Sequence, residues 1–249
     1  MLRVLDLFSG IGGFSLGLER TGGFETAAFC EIEKYPVSQL KKNFPGVPIY
    51  DDIKRLTAER LVSDGIGRID VITGGYPCQP FSVAGKQRGE KDDRHLWPSM
   101  LEIIAQVRPT WVICENVTGH IALGLDKVLL DLETEGYSSR TFIVPACSVN
   151  APHRRDRLWI VAHSESQRIQ GHRASGKQEP HPYEEKTLSL CGSKRPAAAH
   201  WEIESSVVRV ADGIPGRVAR LKALGNAVVP QIPMIIGQAI LDYEQNQKV

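Results

Sequence analysis

The chain has 249 residues, 42% hydrophobic and 24% charged, enough for a sizeable buried core, so one large domain or one with a small satellite is expected. Lys and Arg total 30 against 29 Asp and Glu, a net charge of +1, which excludes a uniformly basic nucleic-acid coat and leaves room for a local basic groove. No uninterrupted apolar run reaches bilayer length and the start MLRVLDLFSG lacks the regions of a secretory signal, so a cytoplasmic protein with no membrane attachment is expected.

In chain order, residues 3–8 (RVLDLF) read as a buried strand, Ser9 to Gly13 as a glycine turn and Phe14 to Arg20 as a helix. Residues 25–31 follow as a strand, 36–43 as a helix opened by a proline, and 47–50 as a short strand before Asp51-Asp52-Ile53. Residues 69–73 form a β-branched strand, 96–107 a helix, 110–115 a strand and 123–135 a helix, with strands at 141–144 and 158–162. Strands alternating with helices predict an α/β, Rossmann-like fold with a mostly parallel sheet covered on both faces, whose chemistry sits at the carboxyl ends of the strands. Residues 164–200 are rich in Ser, His, Lys, Glu, Gly and Pro without period, a long irregular insert. Apolar residues return from Trp201, and 232–243 reads as an amphipathic helix rejoining the sheet domain.

Cys30, Cys78, Cys114, Cys147 and Cys191 are odd in number and scattered, with no C-x-x-C pair, so neither a disulfide framework nor a zinc site is expected. His163, His172, His181, Cys191 and His200 are loop-spaced and read as solvated groups; no metal is expected. Gly10-x-Gly12-Gly13 lets backbone approach a ligand, although a structural turn uses the same residues. Glu31 ends the next strand about twenty residues on, where an acid accepts from ribose hydroxyls, and together they favour an adenosine-containing cofactor. Asp52 adds an acceptor near the adenine position.

In Gly74-Gly75-Tyr76-Pro77-Cys78-Gln79-Pro80-Phe81-Ser82, a cysteine held between prolines at a strand end reads as a nucleophile rather than an inert buried thiol. Glu115 ends the neighbouring strand and is either a helix-dipole acid or an acid-base partner; beside Cys78 the second reading is favoured. In His153-Arg154-Arg155-Asp156-Arg157, alternation sends Arg155 and Arg157 to one side, as an exposed strand entry or as a pair for a phosphate and a base carbonyl. Lys86, Arg88, Lys91 and Arg94 form a basic segment after the cysteine loop.

With those residues assembled, the sequence resembles the DNA (cytosine-5) methyltransferase family, in particular its short phage or prophage members. The motifs run in family order: DLFSGIGGF at 6–14, Glu31, Asp52-Ile53, GGYPCQPFS at 74–82, ENV at 115–117, HRRDR at 153–157 and LGNAVVP at 224–230. The resemblance implies that Cys78 is the nucleophile, that Glu115 holds and protonates the base ring nitrogen, and that Arg155 and Arg157 orient them. It implies an S-adenosylmethionine pocket made by Phe8, Gly10, Ile11, Gly12, Gly13, Glu31, Ile32, Asp52, Ile53, Pro77, Leu96, Asn226 and Ala227, and substrate contacts from Gln79, Ser82, Lys86 and Arg88. Tyr76 replaces the usual phenylalanine, Ile32 stands where many members have tryptophan, and His153 stands where glutamine is usual.

The implied organisation is a catalytic and cofactor-binding domain over 1–163, a reduced target-recognition region over 164–222 and a C-terminal segment over 223–249 that completes the catalytic domain. The implied activity is methylation of C5 of a cytosine flipped out of duplex DNA, by a monomer, with any cognate restriction endonuclease acting separately. Two other outcomes fit the same resemblance, a tRNA cytosine-5 methyltransferase and a DNA-binding prophage remnant with weak catalysis. A nicotinamide-dependent dehydrogenase is a distant further reading of the glycine turn.

Overall fold

The computed structural model describes residues 1–77, 96–164 and 217–247. Its elements are β1 (Leu2–Leu7), α1 (Gly13–Glu19), β2 (Phe24–Cys30), α2 (Lys34–Asn43), β3 (Ile49–Tyr50), α3 (Ala58–Ser63), β4 (Val71–Gly74), α4 (Trp97–Val107) and β5 (Trp111–Val117). They continue with α5 (His120–Leu123), α6 (Leu125–Thr134), β6 (Tyr137–Pro145), β7 (Asp156–Ser164), α7 (Arg217–Asn226) and α8 (Gln231–Asn246). Among the described residues they build one sheet in the order β3-β2-β1-β4-β5-β7-β6. The pairs among β1 to β5 are parallel, and β7 runs antiparallel to both β5 and β6. The expected mostly parallel α/β sheet is the fold observed.

Alternation along the central strands divides the core into two layers. Leu5, Ile72 and Val112 face one layer with Met100 and Ile104 of α4. Their chain neighbours Val4, Val71 and Ile113 face the other, with Phe14, Leu18, Ile232 and Ile240 from α1 and α8. Strands β1, β4 and β5 thus bury both faces, which is why their sequences are apolar runs rather than alternating ones. Strand β6 is the sheet edge, with Phe142 and Ile143 exposed.

Helix α8 is drawn onto α1 by small residues. A Cβ on Gly17 would sit 2.2 Å from the Pro230 carbonyl oxygen, and one on Gly237 would sit 2.8 Å from Leu18 Cδ2. The far end of α8 is fastened where Trp111 Nε1 donates to Glu244 at 2.9 Å. The stretch Val218–Asn246 is long and apolar enough for a membrane span, but it is two helices interrupted between residues 226 and 231, and Ile232, Pro233, Gly237 and Ile240 of the second are buried.

Several elements differ from their sequence-based expectation. The helix expected over 123–135 is broken at Gly124, whose extended backbone separates α5 from α6. Strand β6 starts at Tyr137, four residues before the expected 141, because 137–140 pair with β7 through backbone hydrogen bonds while Ser138, Ser139 and Arg140 are polar and only Tyr137 is buried, too little apolar alternation to read as a strand. Helix α3 has one buried residue, Leu61, and is started by the Thr57 side chain accepting from Arg60 N, too weak a pattern to read as a helix. Helix α7 was also not anticipated, and it runs unbroken across residue 222, where the expected recognition region ends.

Candidate active site

The carboxyl ends of β1, β2, β4 and β5 converge along one edge of the sheet, and the candidate residues lie there. Asp6, near the end of β1, is fully buried and accepts from Ser15 Oγ of α1 and Thr73 Oγ1 of β4, both at 2.9 Å. Burial pushes its carboxyl up to about 7, against the lowering effect of those two hydroxyls. An acid inside the apolar run RVLDLF demands buried partners, and this is the sequence signal that marks Asp6.

After β1 the chain turns sharply: Phe8, Gly10 and Gly12 have φ of 52°, 54° and 87°. Phe8 is not glycine, so its left-handed backbone is strained by roughly 1–2 kcal/mol. Gly12 cannot carry a side chain, because a Cβ would lie 2.6 Å from the Phe44 ring. Above Gly10 a Cβ would meet nothing within 4 Å, so the turn has an open approach. Ile11 beside it is half-buried.

Glu31, just past β2, ties this turn down. Its Oε2 accepts from Gly10 N at 2.7 Å and its Oε1 from Glu33 N at 2.8 Å. Burial raises its pKa while the two backbone donors lower it. Each oxygen keeps a second acceptor site, since a carboxylate offers about four. Ile32 next to it is 71% exposed, an apolar surface at the strand end. Residue Tyr50 pairs with Cys30 at the end of β3, which brings Asp52 and Ile53 to the same side. Asp52 accepts from Lys54 N at 2.9 Å and lies 3.7 Å from Arg55 Nε; Ile53 is 6% exposed and belongs to the core.

The other end of the chain closes this half. A Cβ on Gly13 would sit 2.6 Å from the Val228 carbonyl oxygen, so the 224–230 segment lies directly on the start of α1. Ala227 is half-buried there and Asn226 is exposed. Lys222 Nζ donates to Glu33 at 2.7 Å, joining α7 to the start of α2.

Beyond β4, Gly75 approaches β5 so closely that a Cβ would sit 3.4 Å from Glu115 Oε2. Tyr76 is buried, its carbonyl accepts from Asn116 Nδ2 at 3.1 Å, and its hydroxyl shares a 2.9 Å hydrogen bond with His120 Nε2. Its ring packs on Trp97 at 4.9 Å. Pro77 is exposed, and Leu96 lies half-buried before α4. Cys78, Gln79, Ser82, Lys86 and Arg88 lie outside the described residues.

Glu115 and Arg157 form an ion pair at 2.9 Å with side chains 12% and 22% exposed. Burial raises the Glu115 pKa above the ordinary carboxylate range, opposed by Arg157 and, more weakly, by Arg155. Burial thus favours the protonated carboxyl while the paired guanidinium favours the ionised one. Arg155 lies close enough to Arg157 and Glu115 to act on both electrostatically. It precedes β7, has φ of 39°, and donates from Nη1 to the Gly225 carbonyl at 2.7 Å and from Nη2 to the Ala227 carbonyl at 3.0 Å. The two arginines therefore serve different partners.

Comparison with known proteins identifies the family. Residues 2–211 match the family described as C-5 cytosine-specific DNA methylase. The chain is 36% identical over 165 residues to the Type II methyltransferase M.AplI of Arthrospira platensis, covering 65% of this chain and 46% of that protein. It is 34% identical over 168 residues to the Type II methyltransferase M.Bsp6I of a Bacillus species, covering 65% and 52%. The chain thus spans about half the length of these curated relatives. Among solved structures, a protein described as a DNA modification methyltransferase encoded within an E. coli prophage superposes with a TM-score of 0.57 at 28% identity, over 68% of this chain and 48% of that one.

Proposed function

Since this chain belongs to the C-5 cytosine-specific DNA methylase family, we propose that it methylates C5 of a flipped cytosine in duplex DNA, with Cys78 forming a transient covalent bond to the base. The observation that carries this reading is the buried Glu115, paired with Arg157 and with its proton affinity raised by burial. It stands on the strand next to the one that leads into Cys78.

The family's cofactor is S-adenosylmethionine, and the residues fit it. The open approach above Gly10, the acceptor capacity left on Glu31 and the exposed apolar Ile32 suit its amino-acid portion, ribose and adenine, with Phe8, Ile11, Gly12, Gly13, Asp52, Ile53, Pro77, Leu96, Asn226 and Ala227 as the surrounding wall. When bound, the cofactor supplies an electrophilic methyl group. The chain's own residues make the base able to accept it. The Cys78 thiolate adds to C6, forming a carbon–sulfur bond, and Glu115 donates its proton or a hydrogen bond at N3, so that negative charge is not left on the ring. C5 becomes nucleophilic as a result. After methylation, transfer of the C5 proton to solvent leaves its bonding pair to form the C5–C6 double bond as the carbon–sulfur bond breaks and the Cys78 thiolate leaves, and any proton given to N3 returns to Glu115. Arg157 holds Glu115 in place and limits how far burial raises its pKa.

Flipping the base costs roughly a few kcal/mol. The basic residues Lys86 and Arg88 with Gln79 and Ser82 are assigned to the DNA strand, and 164–222 to reading neighbouring base pairs. The protein is read as a cytoplasmic monomer, with any partner endonuclease acting separately. Incubation with labelled S-adenosylmethionine and duplex DNA should place label at cytosine C5, mapped by bisulfite sequencing. A duplex bearing 5-fluorocytosine should trap the chain covalently through Cys78, because fluorine cannot leave as a proton does. Label on tRNA but not DNA, or an adduct at another cysteine, would contradict the reading.

A further inference from the structure

We propose that Arg155 is a positioning residue for the cofactor side of the site: its guanidinium holds residues 225–227 down against the start of α1, a role separate from that of Arg157. The inference rests on the reading above that residues 226 and 227 border the cofactor.

The geometry is a two-point clamp. One guanidinium donates to the carbonyls of Gly225 and Ala227, at 2.7 and 3.0 Å, across some seventy residues of sequence. The last carbonyls of a helix lack partners within it, and Gly225 lies in the final turn of α7, so a cation there satisfies an open acceptor and opposes the helix dipole. The rigid planar fork of arginine can bridge two acceptors where a single ammonium cannot.

The side chain is also aimed by the backbone beneath it. Arg155 takes a left-handed φ of 39°, a conformation that costs a non-glycine residue free energy unless its surroundings impose it. They do so through Ala146 N, which donates to the carbonyls of Arg154 at 2.6 Å and Arg155 at 3.3 Å. The clamped segment continues into Val228, whose carbonyl fills the space that a Cβ on Gly13 would need. Displacing residues 225–227 would therefore displace the wall beside the glycine turn. Arg157 makes neither contact and pairs with Glu115 instead. Of these two arginines, two positions apart, only Arg155 bonds the 225–227 carbonyls and only Arg157 forms the ion pair with Glu115, although both charges lower its pKa.

The test uses the full chain as wild type, R155A, R155K and R157A. Titration calorimetry with S-adenosylhomocysteine should show the dissociation constant of R155A raised at least tenfold, that of R157A within twofold of wild type, and that of R155K between. Amide hydrogen exchange without ligand should show residues 224–230 losing protection in R155A and keeping it in R157A. An R155A that binds within twofold of wild type, or that keeps full protection at 224–230, overturns the assignment. If R155A does not fold, R155K decides: intermediate affinity and protection support the clamp, and wild-type values for both overturn it. Wild-type protein that takes up no S-adenosylhomocysteine overturns the cofactor reading and this inference with it, whereas wild-type binding with an unaltered R155A overturns Arg155 alone.

Discussion

The two halves of the candidate site are held by different forces. Around the glycine turn, the groups in place are backbone N–H donors, carbonyls and glycines: Gly10 N on Glu31, the Val228 carbonyl against Gly13. At the ends of β4 and β5, by contrast, the active groups are side chains whose charge state depends on burial and on each other, as with Glu115 and Arg157. A backbone cradle presents one geometry as long as Glu31 stays ionised to accept from Gly10 N, whereas a buried ion pair sets a proton affinity. The first suits holding a cofactor and the second suits donating a proton. Asp6 joins the halves, since it touches α1 on one side and β4 on the other.

That division predicts separable failures. The largest effect is expected from Cys78→Ser, which should abolish methyl transfer because a hydroxyl is almost wholly protonated at neutral pH, while calorimetry should find cofactor affinity unchanged. Loss of cofactor binding in that variant would break the separation.

Next, Glu115→Gln should slow transfer by about 10²–10⁴-fold, the usual range for losing a general acid, again without weakening cofactor binding. Arg157→Met gives the matching pH test. The proposed role requires Glu115 in its protonated form, so the rate should fall as pH rises through its pKa. Arg157 lowers that pKa, so its removal should move the alkaline limb of the rate profile to higher pH. An unmoved limb would take Glu115 out of the acid role.

On the backbone side, Glu31→Ala should weaken cofactor binding by about 1.5–3 kcal/mol, the range for hydrogen bonds to a charged group, and leave the pH profile of transfer in place. Because Glu31 also holds Gly10 N, amide exchange at Gly10 should quicken as well. Unchanged affinity in a calorimetric titration would remove Glu31 from the ribose site.

A separate effect, on stability rather than on transfer, concerns Asp6. Its folded-state pKa is raised from 3.8 to about 7, so the folded protein binds this proton more tightly than the unfolded chain does. The associated stability is present below pH 4 and is lost as pH rises toward 7. Urea unfolding across that window should show this decline superimposed on other titrations, and Asp6→Asn, which cannot ionise, should flatten it. A slope unchanged by the substitution would mean that Asp6 is not the group responsible.

Much of this was legible in sequence because the relevant signals are local. An apolar β-branched run, a glycine turn and an acid one strand further on are each set by a few adjacent residues, and steric limits on backbone dihedrals leave them few alternatives. Thus β1 to β5, the glycine turn and the placing of Glu31 and Glu115 near the carboxyl ends of their strands were readable, although β5 runs on to Val117, and the run of motifs in family order pointed to the family. The edge strand β6 and helix α3 were obscured, since one faces solvent and the other buries a single side chain. What tertiary structure alone decided is which distant groups share a boundary: Arg155 with residues 225 and 227, Tyr76 with His120, Asp6 with Thr73. Such pairs are separated by many residues along the chain, so no periodicity records them. They exist because buried or helix-terminal polar groups must find partners wherever packing brings donors and acceptors together.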